Sequence, residues 1–264
     1  MDMIVCIKQI PDPETPASAF KVDEAAKKVI PAQGTQPVVS PFDLQAAEAA
    51  LRVKEQLGSG TIHVLSVGPA GAAQAIKQVL AMGADDGFLI SGPGLDDPDA
   101  YATAQVIAAA AKKIGNVDAI FMGRQAADWD EGVVPMGVAE LLGWPQVTVA
   151  KAVTAADGRL RVERVLQDGF ETVEVITPAV VTISNELGDP RYPKLQQIMM
   201  AGRKPLAQWT AADLGLDAGQ LQSRMELERL YVPVVESQVE VIEGESPAEM
   251  AANLARRLRE ARII

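Results

Sequence analysis

Four times in succession the chain sets a short apolar run before a helical segment closed by glycine, a rhythm that few folds accommodate. The runs are Met3-Ile-Val-Cys-Ile7, Thr61–Val67, Phe88-Leu-Ile90 and Ala119–Met122. All are short and rich in β-branched or large apolar residues, as buried strands are. The first helix opens at Ser40, a good N-cap, with Pro41 at N1 and Asp43 at N3, and Gly58 follows its last turn. Leu44, Ala47 and Leu51 share one face of it, widened by Ala50, Val53 and Leu57. The second helix carries Ile76, Val79 and Leu80 and stops at Gly83. The third is capped by Asp97-Pro98, runs through Val106, Ile107 and Ile114, and ends at Gly115. The fourth covers Val138–Leu142 before Gly143. Strands alternating with helices through short loops imply a parallel sheet with helices on both faces, a Rossmann-like α/β architecture.

After Pro145 the rhythm changes. Gln146–Val153, Arg159–Leu166 and Glu171–Ile176 are strand-like and separated by Asp157-Gly158 and Asp168-Gly169. Asp-Gly marks type I′ hairpin turns, so an antiparallel meander over about 146–177 is expected, returning to the main sheet through Pro178–Ile183. Phe20–Asp23 and Lys28–Ile30 suggest a small hairpin near the start. The core is thus placed at 1–190, a turn-rich loop and short helix at 191–205, and a C-terminal arm at 206–264. Only the end of the arm is periodic. Ser246-Pro-Ala-Glu249 is a capping box, and Met250, Leu254 and Leu258 form one stripe.

Composition removes several functions. A net charge of −11 disfavours nucleic acid and anionic lipid. No apolar run reaches the ~20 residues that span a bilayer, and no secretory signal is visible, so the cytoplasm is the expected compartment. One cysteine, Cys6, and one histidine, His63, leave no disulfide, cysteine-held cluster or multi-histidine metal site. Cys6 reads as a small buried hydrophobe and His63 as a polar strand residue. No nucleophile–base set stands out, so no catalytic residue is assigned.

One segment carries chemistry. Gly123-Arg-Gln-Ala-Ala-Asp-Trp-Asp-Glu-Gly-Val-Val-Pro-Met-Gly137 joins a strand to a helix N-terminus. Free N–H groups and the positive end of the helix dipole suit a phosphate there. Asp128, Asp130 and Glu131 could hold Mg²⁺, but a solvated acidic loop is the better reading. Arg124 is the only cation in the loop, which fits a mono- or diphosphate. Gly68-Pro-Ala-Gly71 is a poor dinucleotide fingerprint, because Ala70 and Ala73 stand where glycine is needed. Elsewhere, Arg191-Tyr-Pro-Lys-Leu195 leads into Gln-Gln-Ile-Met-Met200. Composition alone favours Leu195 as a core plug over an exposed anchor.

Taken in order, Val5-Cys-Ile-Lys-Gln-Ile-Pro11, Ser40-Pro-Phe-Asp43, Ser66-Val-Gly-Pro69, Leu80–Asp85, Gly123-Arg-Gln-Ala126, Gly143-Trp-Pro-Gln146, Pro178–Thr182 and Asp189-Pro-Arg-Tyr192 resemble the beta subunit of electron-transfer flavoproteins. The resemblance implies a heterodimer with an alpha subunit that holds most of the electron-active FAD. In this subunit it implies a structural AMP or, in bifurcating members, a second FAD that oxidises NADH. Carried over by position, nucleotide contacts fall on Cys6, on Ser40, Pro41, Phe42 and Asp43, and on Val67. The loop adds Gly123, Arg124, Gln125, Ala126, Ala127 and Asp128, then Trp129, Asp130, Glu131, Gly132, Val133 and Val134. Trp129 and Glu131 break the bifurcating pattern, so AMP is expected. Ser40 replaces a common asparagine, and Val165 stands where some members carry a glutamate near the FAD.

The resemblance also makes Arg191, Tyr192, Leu195, Ile198 and Met199 a docking surface for a flavin-dependent dehydrogenase, with Leu195 as the anchor. It implies an acyl-CoA dehydrogenase type of donor in fatty acid oxidation, and electron transfer flavoprotein quinone oxidoreductase as the membrane acceptor. An NAD-dependent oxidoreductase domain and a stand-alone nucleotide-binding regulatory protein are the competing classes.

Overall fold

A computed structural model describes residues 1–234 and 239–264. The chain forms two compact units, Met1–Leu230 and Tyr231–Ile264.

The first unit is built on a nine-stranded sheet. In chain order it runs β1 (Met3–Cys6), β2 (Gln9–Ile10), β3 (Lys21–Asp23), β4 (Lys28–Ile30), β5 (Val38–Val39), α1 (Pro41–Leu57) and β6 (Ile62–Val67). It continues with α2 (Ala73–Met82), β7 (Asp86–Ile90), α3 (Ala100–Ile114), β8 (Ala119–Gly123), α4 (Val134–Leu142), β9 (Gln146–Ala156), β10 (Arg159–Leu166) and β11 (Gly169–Ile176). It closes with β12 (Ala179–Ile183), α5 (Leu195–Ala201) and β13 (Leu206–Trp209). The large sheet has the order β11-β10-β9-β12-β8-β1-β6-β7-β13. Every pairing from β9 across to β13 is parallel, and β9, β10 and β11 form the antiparallel meander. The expected α/β class is the observed one. β3 and β4 form the small hairpin.

Strand period two divides the core. Met3 and Val5 of β1 pack with α1 and α2 on one face, while Ile4 and Cys6 pack with α3 and α4 on the other. Alanine lets these helices approach closely. A Cβ on Gly137 of α4 would lie 2.9 Å from the Ala104 Cβ of α3, so the low aromatic content becomes close helix packing rather than loose volume.

Details depart from the sequence reading. The cap of α3 is Asp99, whose side chain accepts the Ala102 N–H, rather than Asp97-Pro98. Asp157 and Gly158 both have positive φ, as a type I′ turn requires. The second meander turn is instead Gln167-Asp168, and Gly169 already pairs with Leu166 in the ladder. β9 is longer than expected because it changes partners: its start pairs with β12 and its later part with β10, with Val149 at φ 61 between them.

The arm expected over 206–264 also starts later. Leu206–Trp209 is an edge strand in register with Gly87–Ile90 of β7. Ala211, Leu214, Leu216 and Leu221 pack against the core beyond it. Four residues are too few to show a period, so this strand was illegible. Residues 235–238 of the expected arm lie outside the described residues. The second unit contains α6 (Pro247–Glu260), whose Ser246 hydroxyl accepts the Glu249 N–H. Glu249 returns its bond to the Glu245 N–H, one residue before the cap. Among the described residues no helix is long and apolar enough to cross a membrane.

Candidate functional site

The chain leaves β1 toward β6 on one side, yet β8 returns on the other side of β1. At such a reversal the loops beyond the carboxyl ends of the strands diverge and open a crevice. A cavity of about 470 Å³ lies there. Its wall takes Cys6 to Gln9 from the end of β1, Val67 to Pro69 from β6, and Met122 and Gly123 from β8.

Asp43 ties two of these strand ends together. Its Oδ2 accepts the Lys8 N–H at 2.8 Å and its Oδ1 the Gly123 N–H at 3.2 Å. Glycine is obligatory at 123: a Cβ there would lie 2.5 Å from Asp43 Oδ1 and 2.8 Å from Phe42 Cβ. Burial pushes the Asp43 carboxyl up to about 7, against the lowering effect of those two N–H groups and the Lys8 charge. Asp128 pushes it further in the same direction. Burial, with Asp43 nearby, also raises the Cys6 thiol, which favours the neutral form.

The loop after β8 is shaped by its backbone. Asp130 and Gly132 have φ of 59 and 64, and the Gln125 side chain bonds to Asp130. Gly132 sits against its own loop, where a Cβ would come 3.1 Å from Arg124 O. Helix α4 begins at the cavity wall, which Val133, Val134 and Pro135 help to form. Its first N–H groups lack intrahelical acceptors, and Pro135 removes one donor at no cost.

Of the residues expected to bind nucleotide, Cys6, Asp43, Val67, Gly123, Gln125, Ala126, Trp129, Glu131, Gly132, Val133 and Val134 line the cavity. The others are not part of its lining. Ser40 is fully buried, makes no side-chain cap bond, and accepts the Ala127 N–H at 3.4 Å. The Arg124 guanidinium lies 5.1 Å from the Phe42 ring. Asp128 pairs with Lys8 at 2.6 Å. The cation on the cavity wall is therefore Lys8, brought in by β1, and not Arg124.

Three groups escaped the sequence reading: Lys8; Asp96 to Ala100 with Thr103 at the start of α3; and Ser223 with Met225–Glu228. Asp99 carried a signal, since it precedes a helix that follows a strand. The last group carried none. Among the described residues, seven that line it are acidic (Asp43, Asp96, Asp97, Asp99, Glu131, Glu226 and Glu228) and one, Lys8, is basic. Such a wall repels a polyphosphate. Its carboxylates can accept the hydroxyl and amino donors of a nucleoside, while Lys8 and the α4 N-terminus can take a single phosphate.

A second surface lies on α5 and the loop before it. Tyr192 is 95% exposed, Leu195 74% and Met199 71%, with Ile198 half exposed. Leu195 is thus no core plug. Arg191, expected to steer a partner, is committed elsewhere. Its Nε lies 2.7 Å from Glu48 Oε2 and it also grips Glu55. Burial acts to raise the Glu48 carboxyl, but Arg191 and Arg52 hold it below the usual range. Arg191 therefore anchors the loop to α1 rather than presenting a charge.

Comparison with known proteins agrees with this geometry. Residues 28–214 match the model of the electron transfer flavoprotein domain. The chain is 36% identical to an electron transfer flavoprotein subunit beta of Thermoanaerobacterium thermosaccharolyticum, and both are covered completely. It is 34% identical, again over both whole chains, to the caffeyl-CoA reductase-Etf complex subunit CarD of Acetobacterium woodii. Protein FixA of Azotobacter vinelandii is 31% identical over 84% of this chain and 79% of its own. The chain belongs to the electron transfer flavoprotein family, as a subunit of the beta type.

Proposed function

We propose that this chain pairs with an alpha subunit and carries electrons from flavin-dependent dehydrogenases, such as acyl-CoA dehydrogenases, to a quinone oxidoreductase, with AMP in its own cavity. A flavin held mainly by the alpha subunit supplies the redox chemistry. This chain's residues supply shelter and docking. The observation that carries the AMP reading is the cavity wall, with Lys8 as its one cation among eight charged residues. Its volume of about 470 Å³ also falls in the lower half of the range of roughly 300–1,000 Å³ for small-ligand sites. FAD, with more than twice the heavy atoms and a diphosphate, suits that wall less well.

In this reading Asp43 fixes the strand ends, the 123–134 loop meets the phosphate with backbone N–H groups, and Tyr192, Leu195, Ile198 and Met199 meet the dehydrogenase. Only the separate part of the expected arm, from Tyr231 on, packs on the alpha subunit. Co-expressing the chain with its alpha subunit tests the proposal. Yellow flavin should be retained only by the pair, and an acyl-CoA dehydrogenase with its substrate should bleach it. Flavin tightly bound to this chain alone would contradict it. The similarity to a caffeyl-CoA reductase-Etf complex subunit favours a second reading, a bifurcating partner of a CoA-ester reductase with a second FAD. NADH oxidation by the purified pair separates the two.

A further inference from the structure

The last stretch of the first unit, Ser223–Arg229, is bound at both ends across the cavity. At one end Asp99, the N-cap of α3, does two jobs. Its Oδ1 accepts the Ala102 N–H at 2.8 Å, which caps the helix. Its Oδ2 accepts the Arg224 N–H at 2.5 Å and the Met225 N–H at 3.1 Å, which holds the strand of chain above it. At the other end Lys27 of the β3–β4 hairpin donates to Leu227 O at 2.6 Å, and Arg229 lies 3.4 Å from Glu24. Met225, Glu226 and Leu227 line the same cavity as the 123–134 loop.

This stretch is little buried: Ser223 to Glu226 are exposed residues, and Met225 is 58% exposed. A segment held mainly by end bonds opens easily unless something beneath it adds contacts. The acidic residues Glu226 and Glu228 would repel a phosphate but accept the hydroxyl or amino donors of a nucleoside. In the nucleotide reading the phosphate end meets Lys8 and the α4 N-terminus.

We propose that Ser223–Arg229 is a strap that closes over the nucleoside half of a bound adenine nucleotide, and that Asp99 is the positioning residue that pins it. The inference rests on the nucleotide reading of the cavity.

Trypsin provides a direct probe, because Arg224 and Arg229 are exposed residues within the strap. The full-length chain is stripped of nucleotide and digested briefly with and without added AMP. AMP should slow cleavage after Arg224 at least ten-fold. Asp99→Asn sharpens the test, because asparagine still caps the helix but turns an N–H donor toward those of Arg224 and Met225. This variant should keep its helix content by circular dichroism, release AMP about ten-fold faster, and be cut after Arg224 faster than wild type even without AMP. If AMP binds wild type but leaves cleavage after Arg224 unchanged, the strap is no part of the site. Protection in wild type with normal release from D99N overturns the role of Asp99. Failure of AMP to bind wild type at millimolar concentration overturns the nucleotide reading, and this inference with it.

Discussion

The cavity at the sheet's carboxyl edge and the ridge on α5 are both assembled around acidic residues of one helix, and they use them in opposite ways. In the cavity, Asp43 of α1 is buried among backbone donors and kept at the edge of neutrality. Under the ridge, Glu48 of the same helix is equally buried but fully charged, because Arg191 and Arg52 reach it. One turn and a half of helix separates a carboxyl that shapes a ligand site from one that fastens a partner site. Cavity residues are constrained by what the backbone must approach, whereas the exposed ridge side chains stand on a helix held by the Arg191 tie to α1 and by packing on α2. Substitutions should therefore damage binding and fold together in the cavity, and separately on the ridge.

Arg191→Ala is expected to have the largest effect. It leaves Glu48 buried with only Arg52, and losing one partner of a buried pair costs about 3–5 kcal/mol. At about 2–4 °C per kcal/mol for a unit of this size, the melting midpoint should fall by roughly 6 °C or more. An unchanged midpoint would contradict the anchoring role of Arg191.

Leu195→Ala should do the reverse. Burying a leucine at an interface is worth about 1.5–3 kcal/mol, so dehydrogenase-dependent electron transfer should fall roughly 10- to 100-fold. Stability should change by less than about 0.5 kcal/mol, because the side chain is solvent-exposed before docking. Normal transfer rates in the variant would move the docking site elsewhere.

Gly123→Ala should cost about 1–3 kcal/mol through overpacking against Phe42 and Asp43, with nucleotide content falling in step. Intact nucleotide content together with lost stability would separate the cavity from its scaffold and break the comparison.

The smallest effect is a pH slope. The native-state value for Asp43 is raised, so the folded protein binds more protons than the unfolded chain between about pH 4 and pH 7. Its contribution to stability is complete below the unfolded value and is lost as pH rises through about 7. Glu48, held below its usual range, acts in the other direction: its contribution is present above the unfolded value and lost as pH falls. Midpoints of wild type minus Asp43→Asn should therefore decline from pH 5 to pH 8, and a flat difference would contradict the assignment.

Much of this comparison was legible in the residues. The strand–helix alternation, its glycine stops and the loop from Gly123 to Val134 are local patterns, and local patterns survive folding. Asp43 was legible as an N3 residue and, through the resemblance, as a nucleotide contact, but not as a tie between strand ends. Its grip on Lys8 and Gly123 joins three distant segments, and no window of sequence contains all of them. The same reason hid Arg191 behind its apparent neighbour Leu195, because its partners lie 143 and 136 residues away. It also hid the strap, whose Asp99 contacts span 125 and 126 residues. Four-residue β13 failed differently: it is too short to show a period, and only its register with β7 defines it.

The central claim is that the cavity is built for one phosphate and a nucleoside. It is tested most directly by denaturing the purified heterodimer and separating the released nucleotides by chromatography. One FAD and one AMP per complex is the predicted result. Two FAD per complex with no AMP would contradict the account.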